Sequence, residues 1–533
     1  MKLVISAFIF ISSVQARESS PRSPNVLFII CDDLNDWVLD PPGHPRPLTP
    51  NIDRLRARSV DFSNAHVAVP VCGPSRKCLF SGLYPHTIDS YGFSAWNNTK
   101  GLRECVPLPL HFRENGYSAF GTGKLIHEGK GGDFYTDYGI GVDYGPWPMG
   151  ADGKITWTHP KLHAKYGNLI RSIDFSHGPL SNIPIWNPKV TKSKNNNGWY
   201  YKNGQPFRYK SQNDRDKMPD EISAEYAVNI LKQKHDRPFY LGVGFVRPHT
   251  PLFAPKKYFD LYPLEDITLP PILEGDLDDC SEALRNRWLK SYRKLSTIRK
   301  IGGEKLWKEW IQAYLACVSY VDDQLGTVLN ALENSPYAEN TIIVFTSDHG
   351  YHLGEKGNMQ KWHLWDESTR VPLLIHVPEG KNNGKQCSHP VSSVDIYPTL
   401  AELCGISLEP NKGGSNIPLD GLSLRPFLKD SMCKKWNGPS VAYMSVGKSF
   451  EDAQGWDIGP HHSVRSQCYR YTLCSNGEEE LYDHNNDPHE WTNLASNPNY
   501  VETKAELREA LFEIHPKATA EQDAALNDAP RRE

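Results

Sequence analysis

Asn25-Val26-Leu27-Phe28-Ile29-Ile30-Cys31-Asp32-Asp33 is an apolar run of strand length that stops on two adjacent carboxylates. A continuous apolar stretch, without the polar alternation of a half-exposed strand, suits a strand covered on both faces. Four further runs share this texture: Tyr117–Gly121, Pro238–Phe245, Thr341–Ser347 and Val371–Val377. Helical patterns lie between them. Thr49-Pro50 opens one that runs to about Arg58, with Pro at the first helical position. Asp220–Lys234 and Trp307–Ser335 carry apolar residues at i, i+3, i+4 spacing. Strands alternating with helices predict an α/β fold built on a large, mostly parallel sheet between helices.

Beyond about Asp430 the texture changes. Val441–Val446, Val464–Arg465, Tyr469–Leu473 and Glu480–Tyr482 read as short strands separated by turn residues, and Tyr500–Ile514 reads as a helix. A smaller C-terminal subdomain of antiparallel sheet plus helix is therefore expected over 431–533, after a main domain over 17–430. Gly129–Gly198, rich in Gly, Pro, Trp and His, reads as inserted loops. Residues 1–16 have a Lys2 start, an apolar run from Leu3 to Val14 and small residues at −3 and −1 of a cleavage point after Ala16, the pattern of a secretory signal. An apolar run of 12 residues rises only about 18 Å as helix, short of a ~30 Å bilayer core. The expectation is an exported protein, periplasmic or secreted, and the short leader with few disulfide candidates points to a bacterial host.

The 533 residues carry 59 Lys+Arg against 63 Asp+Glu, a net charge of −4, which argues against an electrostatic nucleic-acid binder or a polybasic membrane-surface protein. No later stretch approaches the length of a membrane span, so the mature chain should have none. The 11 cysteines are an odd number without CxxC pairs, leaving at least one unpaired or chemically used. Cys468 and Cys474 bracket one strand-like run and are the candidates for a bridge.

In an open parallel sheet, ligands bind beyond the carboxyl ends of the strands. The first run is followed by Asp32 and Asp33, the second by Lys124 and His127, the third by Arg247 and His249, the fourth by Asp348 and His349 with Lys361 beyond. Each alone is as consistent with a solvated loop charge, but four coincidences on one edge favour a site. Three carboxylates in one cleft repel unless some protonate or a cation neutralises them. Their oxygens suit Ca²⁺ or Mg²⁺ better than zinc, with an unmetallated acid/base cluster as the alternative. Cys72-Gly73-Pro74-Ser75-Arg76 places a thiol at a helix start, where free N–H groups would lower its pKa, although a structural disulfide or a buried cysteine remains open.

Cys72-Gly73-Pro74-Ser75-Arg76 with Ser81-Gly82 resembles the signature of type I sulfatases, in which the cysteine is oxidised to formylglycine. Asn25–Asp33, Thr49–Leu55, Thr346-Ser347-Asp348-His349-Gly350 and Glu480–Asp483 resemble further motifs of that family, so the likeness spans almost the whole mature chain. Gly123-Lys124-Leu125-Ile126-His127, Arg247-Pro248-His249 and Leu353-Gly354-Glu355-Lys356-Gly357 are similar to the iduronate-2-sulfatase-like branch. Departures are Phe80-Ser81-Gly82-Leu83 for Leu-Thr-Gly-Arg, and Lys356 where the family pattern has His, a change that could alter substrate contacts.

The resemblance implies an alkaline-phosphatase-like fold and hydrolysis of a sulfate ester. Asp32, Asp33, Asp348 and His349, together with position 72, would hold one Ca²⁺, with Mg²⁺ as the alternative. Asp348 would also be the base for the attacking hydroxyl of hydrated formylglycine, while Arg76 and Lys124 hold position 72 and the developing negative charge. His249 and Lys361 would contact sulfate, His249 protonating the leaving alcohol, and His127 would take the proton that drives sulfate off. The implied substrate is a sulfated oligosaccharide or polysaccharide, a glycosaminoglycan or algal fragment, and the implied partner is a formylglycine-generating or sulfatase-maturating enzyme. The alternatives are a phosphoester or phosphonate hydrolase of the same superfamily and a non-catalytic glycan-binding protein.

Overall fold

The computed structural model describes residues 23–39, 43–44, 46–127, 131–148, 155, 177–182, 198–286, 295–447 and 460–518; the leader expected over 1–16 lies outside them. Its principal elements begin with β1 (Asn25–Asp32), α1 (Pro50–Arg56), β2 (Val60–Phe62), α2 (Cys72–Ser81), α3 (Leu108–Glu114), β3 (Ser118–Gly123) and β4 (Asp137–Tyr138). They continue with α4 (Pro219–Lys232), β5 (Phe239–Pro248), α5 (Leu295–Glu333), β6 (Thr341–Ser347), β7 (Leu373–His376), β8 (Gln386–Cys387) and α6 (Ile396–Leu403). The C-terminal part supplies β9 (Ala442–Val446), β10 (His461–Arg465), β11 (Tyr469–Leu473), β12 (Glu479–Asp483) and α7 (Val501–Ile514).

The central sheet runs β8-β2-β7-β6-β1-β5-β3-β4. β1 lies parallel to both β5 and β6, and β5 is parallel to β3, so these four strands end at one edge. The apolar run at 371–377 departs from the parallel expectation: β7 is antiparallel to β6 and to β2. Every residue of β1 is buried, as its unbroken apolar run requires. Leu27, Ile29 and Cys31 pack with Leu231, Trp310 and Leu325 of α4 and α5, whereas Val26, Phe28 and Ile30 pack with Leu79, Phe112 and Leu400 of α2, α3 and α6. The period-two alternation of a strand thus builds two cores from one sequence, each buried Leu or Phe contributing about 1.5–3 kcal/mol. Helix α5 starts well before the expected Trp307, with a break at Gly303 (φ 64°).

The four strands β9 to β12 form an antiparallel meander, and α7 buries Leu507 and Leu511 in the same core as Val464 and Tyr471. The bridge expected between Cys468 and Cys474 is absent; both are free thiols. They flank β11 at opposite ends, and an extended strand separates such residues by roughly 20 Å, against the ~6 Å Cα spacing a disulfide needs. Among the described residues, no helix is long and apolar enough to cross a membrane.

Candidate active site

The shared edge of β1, β3, β5 and β6 gathers the polar residues that follow them. At the end of β1, Asp33 takes a left-handed backbone (φ 66°), a region L residues rarely occupy, and its N–H donates to Asp348 Oδ1 at 3.2 Å. The end of β3 is shaped by contact with β5. Gly123 pairs with Gly244, and a Cβ on either would come within 2.0 Å of a backbone oxygen of the other strand's segment. Only glycine permits this approach, which lets Lys124 N–H bond Gly244 O at 2.8 Å and carries the lysine into the cleft.

Helix α2 starts at Cys72 and is buried along its whole length. Arg76, one turn along, donates from Nε to Asp348 Oδ2 at 2.8 Å and from Nη1 to the carbonyls of Lys124 and of Leu125 (3.1 Å). Ser75 Oγ donates to the Asp348 carbonyl, so one helical turn fixes both ends of that aspartate. Lys77 points elsewhere, donating to Ser90 Oγ (2.6 Å) and Gly92 O (3.0 Å), and so holds the loop that carries Phe93. Gly73 leaves room for Phe93, whose Cδ1 lies 2.7 Å from where a Cβ would stand.

Around the Cys72 thiol, Lys361 Nζ lies at 2.9 Å and His349 Nε2 at 3.2 Å. Lys361 also donates to Asp33 Oδ1 at 2.6 Å, and Lys124 donates to Asp32. His349 Nε2 is 3.1 Å from Asp33 Oδ1 and 3.5 Å from Asp348 Oδ1. Its Nδ1 donates to Gly350 O at 2.8 Å, which leaves an Nε2 lone pair facing the carboxylates. His249 Nδ1 is likewise engaged by Thr250 O at 2.5 Å, with Nε2 4.0 Å from Asp33 Oδ2.

The electrostatics are those of an incomplete cluster. Burial alone would raise the Asp32 pKa, but the Lys124, Arg76 and Lys361 cations outweigh it and hold the group well below the usual carboxylate range. Asp33 is pushed up to about 7, by burial first and then by Asp32 and Asp348, with Lys361 opposing. Asp32 Oδ1 and Asp33 Oδ2 are buried without a hydrogen-bond partner. Donor atoms of Asp32, Cys72, Asp348 and His349 lie within 4.8 Å of one another, as do those of Asp32, Asp33, Cys72 and His249. Orphaned buried carboxylate oxygens converging with an unprotonated imidazole nitrogen fit a divalent cation.

Three expectations need correction. The Cys72 thiol is not activated: burial pushes it up to about 12, because desolvating a thiolate outweighs the helix terminus and the nearby lysines. Arg247 does not join the anion cluster; its guanidinium donates to the carbonyls of Phe253, Tyr144 and Gly145, each at 3.0 Å, and braces the loop after β5. Lys356 cannot reach a substrate from the cleft, since it is buried on Asp276 (2.6 Å) and the Glu490 carbonyl. His127 lies at the margin, with its ring 4.8 Å from that of Phe93.

Sequence reasoning missed Tyr144, whose ring is 4.6 Å from the His249 ring and 5.1 Å from Lys124 Nζ, because it arrives from an inserted loop without a periodic signal. It also missed Phe93 and Trp362, 6.1 Å apart near Gly73. Trp362 follows Lys361 in a left-handed backbone (φ 79°).

The chain belongs to the type I sulfatase family and is a sulfuric ester hydrolase. The sulfatase family model matches residues 24–406, and a model for the C-terminal region of N-sulphoglucosamine sulphohydrolase matches residues 354–517. A sulfatase of Formosa agariphila is 34% identical over 95% of this chain and 88% of its own length. The iduronate 2-sulfatase of Mus musculus is 30% identical over 76% of this chain and 74% of its own. In fold, a phosphonate monoester hydrolase of Agrobacterium radiobacter matches at a TM-score of 0.66 and 22% identity, over 93% of this chain and 96% of that one.

Proposed function

We propose that this protein removes sulfate from a sulfated carbohydrate, a glycosaminoglycan or algal polysaccharide fragment, after Cys72 has become formylglycine. The observation that carries the reading is the position of residue 72. It opens α2 with its sulfur 2.9 Å from Lys361 Nζ and 3.2 Å from His349 Nε2, amid three buried aspartates. Asp32, Asp33, Asp348 and His349, with position 72, would hold Ca²⁺, or Mg²⁺ in its place. When bound, the cation would supply charge neutralisation and polarisation of the sulfate, and the hydrated aldehyde would supply the nucleophile.

The chain's own groups divide the remaining work. Arg76 orients Asp348, the base for position 72, and Lys124 neutralises Asp32. Lys361 is within reach of an anion seated at position 72. His249 is the proton donor to the leaving alcohol, but burial, Lys361 and Lys124 keep its ring neutral in the resting cleft. With Nδ1 committed to Thr250 O, Nε2 gains a proton only when an anionic ester offsets those lysines. His127, kept neutral by burial (about 3), is suited to accept the proton that expels sulfate.

The iduronate 2-sulfatase relative favours a uronate 2-sulfate, and Tyr144, Phe93 and Trp362 offer ring faces to a sugar. Cys72 is 2% exposed, so its maturating enzyme must act before the chain folds. The leader over 1–16 would direct export, and 17–430 and 431–533 would be the catalytic and C-terminal parts.

Mass spectrometry of the residue-72 peptide from the native host, with sulfate release from defined oligosaccharides, tests the reading. Formylglycine and faster hydrolysis of a sulfate ester than of its matched phosphate ester are expected. Preference for phosphate would favour the phosphoester reading, and an unmodified thiol in inactive protein would favour a glycan binder.

A further inference from the structure

Behind the loop that carries His349 and Lys361 lies a second group of buried donors with no part in the proposed sulfatase chemistry. His44 Nε2 is 3.4 Å from Glu355 Oε1 and 3.9 Å from Glu367 Oε1. One donor atom from each of the three lies within 4.8 Å of the others. Side-chain exposure is 2% for His44, 9% for Glu355 and 19% for Glu367, so two carboxylates have been withdrawn from most of their water.

The nearby Asp366–His484–Glu490 group has similar composition but is neutralised by Arg470, which reaches both carboxylates. Among the described residues, neither Glu355 nor Glu367 makes a direct ion pair with a Lys or Arg; Arg370, which feels Glu367, is itself paired with Asp36 and Asp366. Glu355 Oε1 and His44 Nδ1 are buried without hydrogen-bond partners. His352 stands beside them. It is fully buried, with Nδ1 4.0 Å from Glu355 Oε2 and the Glu355 backbone as its other polar neighbour. The donors are held in place by their surroundings. His44 stacks on Trp37 at 5.1 Å with 5° between the rings, Leu353 N–H donates to Glu355 Oε2 at 2.6 Å, and Asn35 Nδ2 donates to Glu367 Oε2 at 3.3 Å.

We propose that His44, Glu355 and Glu367 form a second divalent-metal site, selective for Zn²⁺ and distinct from the sulfatase cation. Two carboxylates balance the charge of one divalent ion. One imidazole with two carboxylates suits zinc, whereas calcium takes six to eight oxygens. Tetrahedral bonds of about 2.0–2.2 Å put ligand atoms roughly 3.4 Å apart, close to the His44–Glu355 separation. A cavity of about 160 Å³ reaches His44 and Glu367, with Arg370 and Arg465 also on its wall, and leaves room for water beside those two ligands. The role is structural: the ion would tie the segment after β1 to residues 355–367, which include Lys361, and so hold that lysine's loop in place.

The test uses the full chain carrying Cys72→Ala, so that its outcome does not depend on maturation or turnover. Stripped protein is saturated with CaCl₂, titrated with ZnCl₂, desalted and assayed for both metals, with a parallel titration by CoCl₂ followed through its visible absorption. The expected result is about one zinc per chain beside calcium, tetrahedral cobalt bands, and affinity at least tenfold lower in His44→Ala and Glu367→Gln. Zinc should raise the melting temperature of the parent but not of the variants, which shows whether each variant is folded before loading. The proposal is overturned if the parent retains no zinc, if His44→Ala and Glu367→Gln retain it equally well, or if Asp32→Ala alone releases it. A sulfatase reading that failed for want of formylglycine would leave this result untouched.

Discussion

Two buried charge clusters, one around Asp32, Asp33 and Asp348 and the other around Asp366 and Glu490, contain similar residues and are built in opposite ways. In the second, Arg470 is fully buried, donates to both carboxylates, and sends Nη1 to Leu364 O at 2.5 Å. His484 Nε2 stands 3.0 Å from Glu490 Oε1, and the backbone N–H of Asp366 donates to Glu490 Oε2 at 2.9 Å. Both carboxylates there are held below their usual range; burial opposes this, but His484 and the arginines around Asp366, and Arg470 and His484 around Glu490, prevail. In the first cluster Asp33 is held up, two carboxylate oxygens lack partners, and Lys361 is shared between an aspartate and a thiol. A satisfied cluster locks the C-terminal sheet to the rest of the chain, whereas an unsatisfied one leaves donor atoms open, as the proposed cation and substrate anion would require.

Removing the reacting group should separate the two most sharply. Cys72→Ala should reduce sulfate release by roughly 10⁴-fold or more while leaving the melting temperature near that of the parent. Full activity in this variant would remove residue 72 from the chemistry. Asp32→Ala should lose both the divalent cation and turnover, read by metal analysis alongside the sulfate assay. A protein that kept its metal would displace Asp32 from the ligand set.

The converse change lies at the other cluster. Arg470→Met leaves Asp366 and Glu490 buried without their cation and should cost about 3–5 kcal/mol in denaturant unfolding, with calcium content per folded chain unchanged. Equal stability would mean that the network is dispensable.

The smallest effect is on pH. Glu490 has a folded pKa of about 2, below its ordinary 4.5. Its contribution is therefore fully present above pH 4.5 and lost as pH falls from there toward 2. The acid limb of a stability–pH curve should flatten over that window in Glu490→Gln. An unchanged limb would show that other carboxylates control it.

Much of this organisation was legible in advance, and the failures are instructive. The runs ending at Cys31 and Ser347 were readable because a strand buried on both faces has to be apolar throughout, and the polar residues next in line then mark its end. Arg247 occupied an equally suggestive place, yet its long side chain turned to backbone carbonyls of residues 144, 145 and 253, contacts that no local pattern encodes. Lys356 looked like a substrate contact because it replaces a family histidine, and its burial against Asp276 depends on a segment 80 residues away. Tyr144, Phe93 and Trp362 gave no signal, since aromatic residues in loops are as common in packing as in recognition.

The sequence by itself determined the class of fold, the edge of the sheet at which polar chemistry would gather, and the cysteine motif at the head of a helix. Apolar period, strand ends and helix starts are local properties of consecutive residues. The charge state of the cleft was decided only by tertiary structure. The thiol at position 72 is raised rather than lowered, because burial and the carboxylates of residues 32 and 348 outweigh the lysines at 124 and 361. Those groups come from four distant parts of the chain, and their balance exists only once the sheet has brought them within a few ångströms of one another.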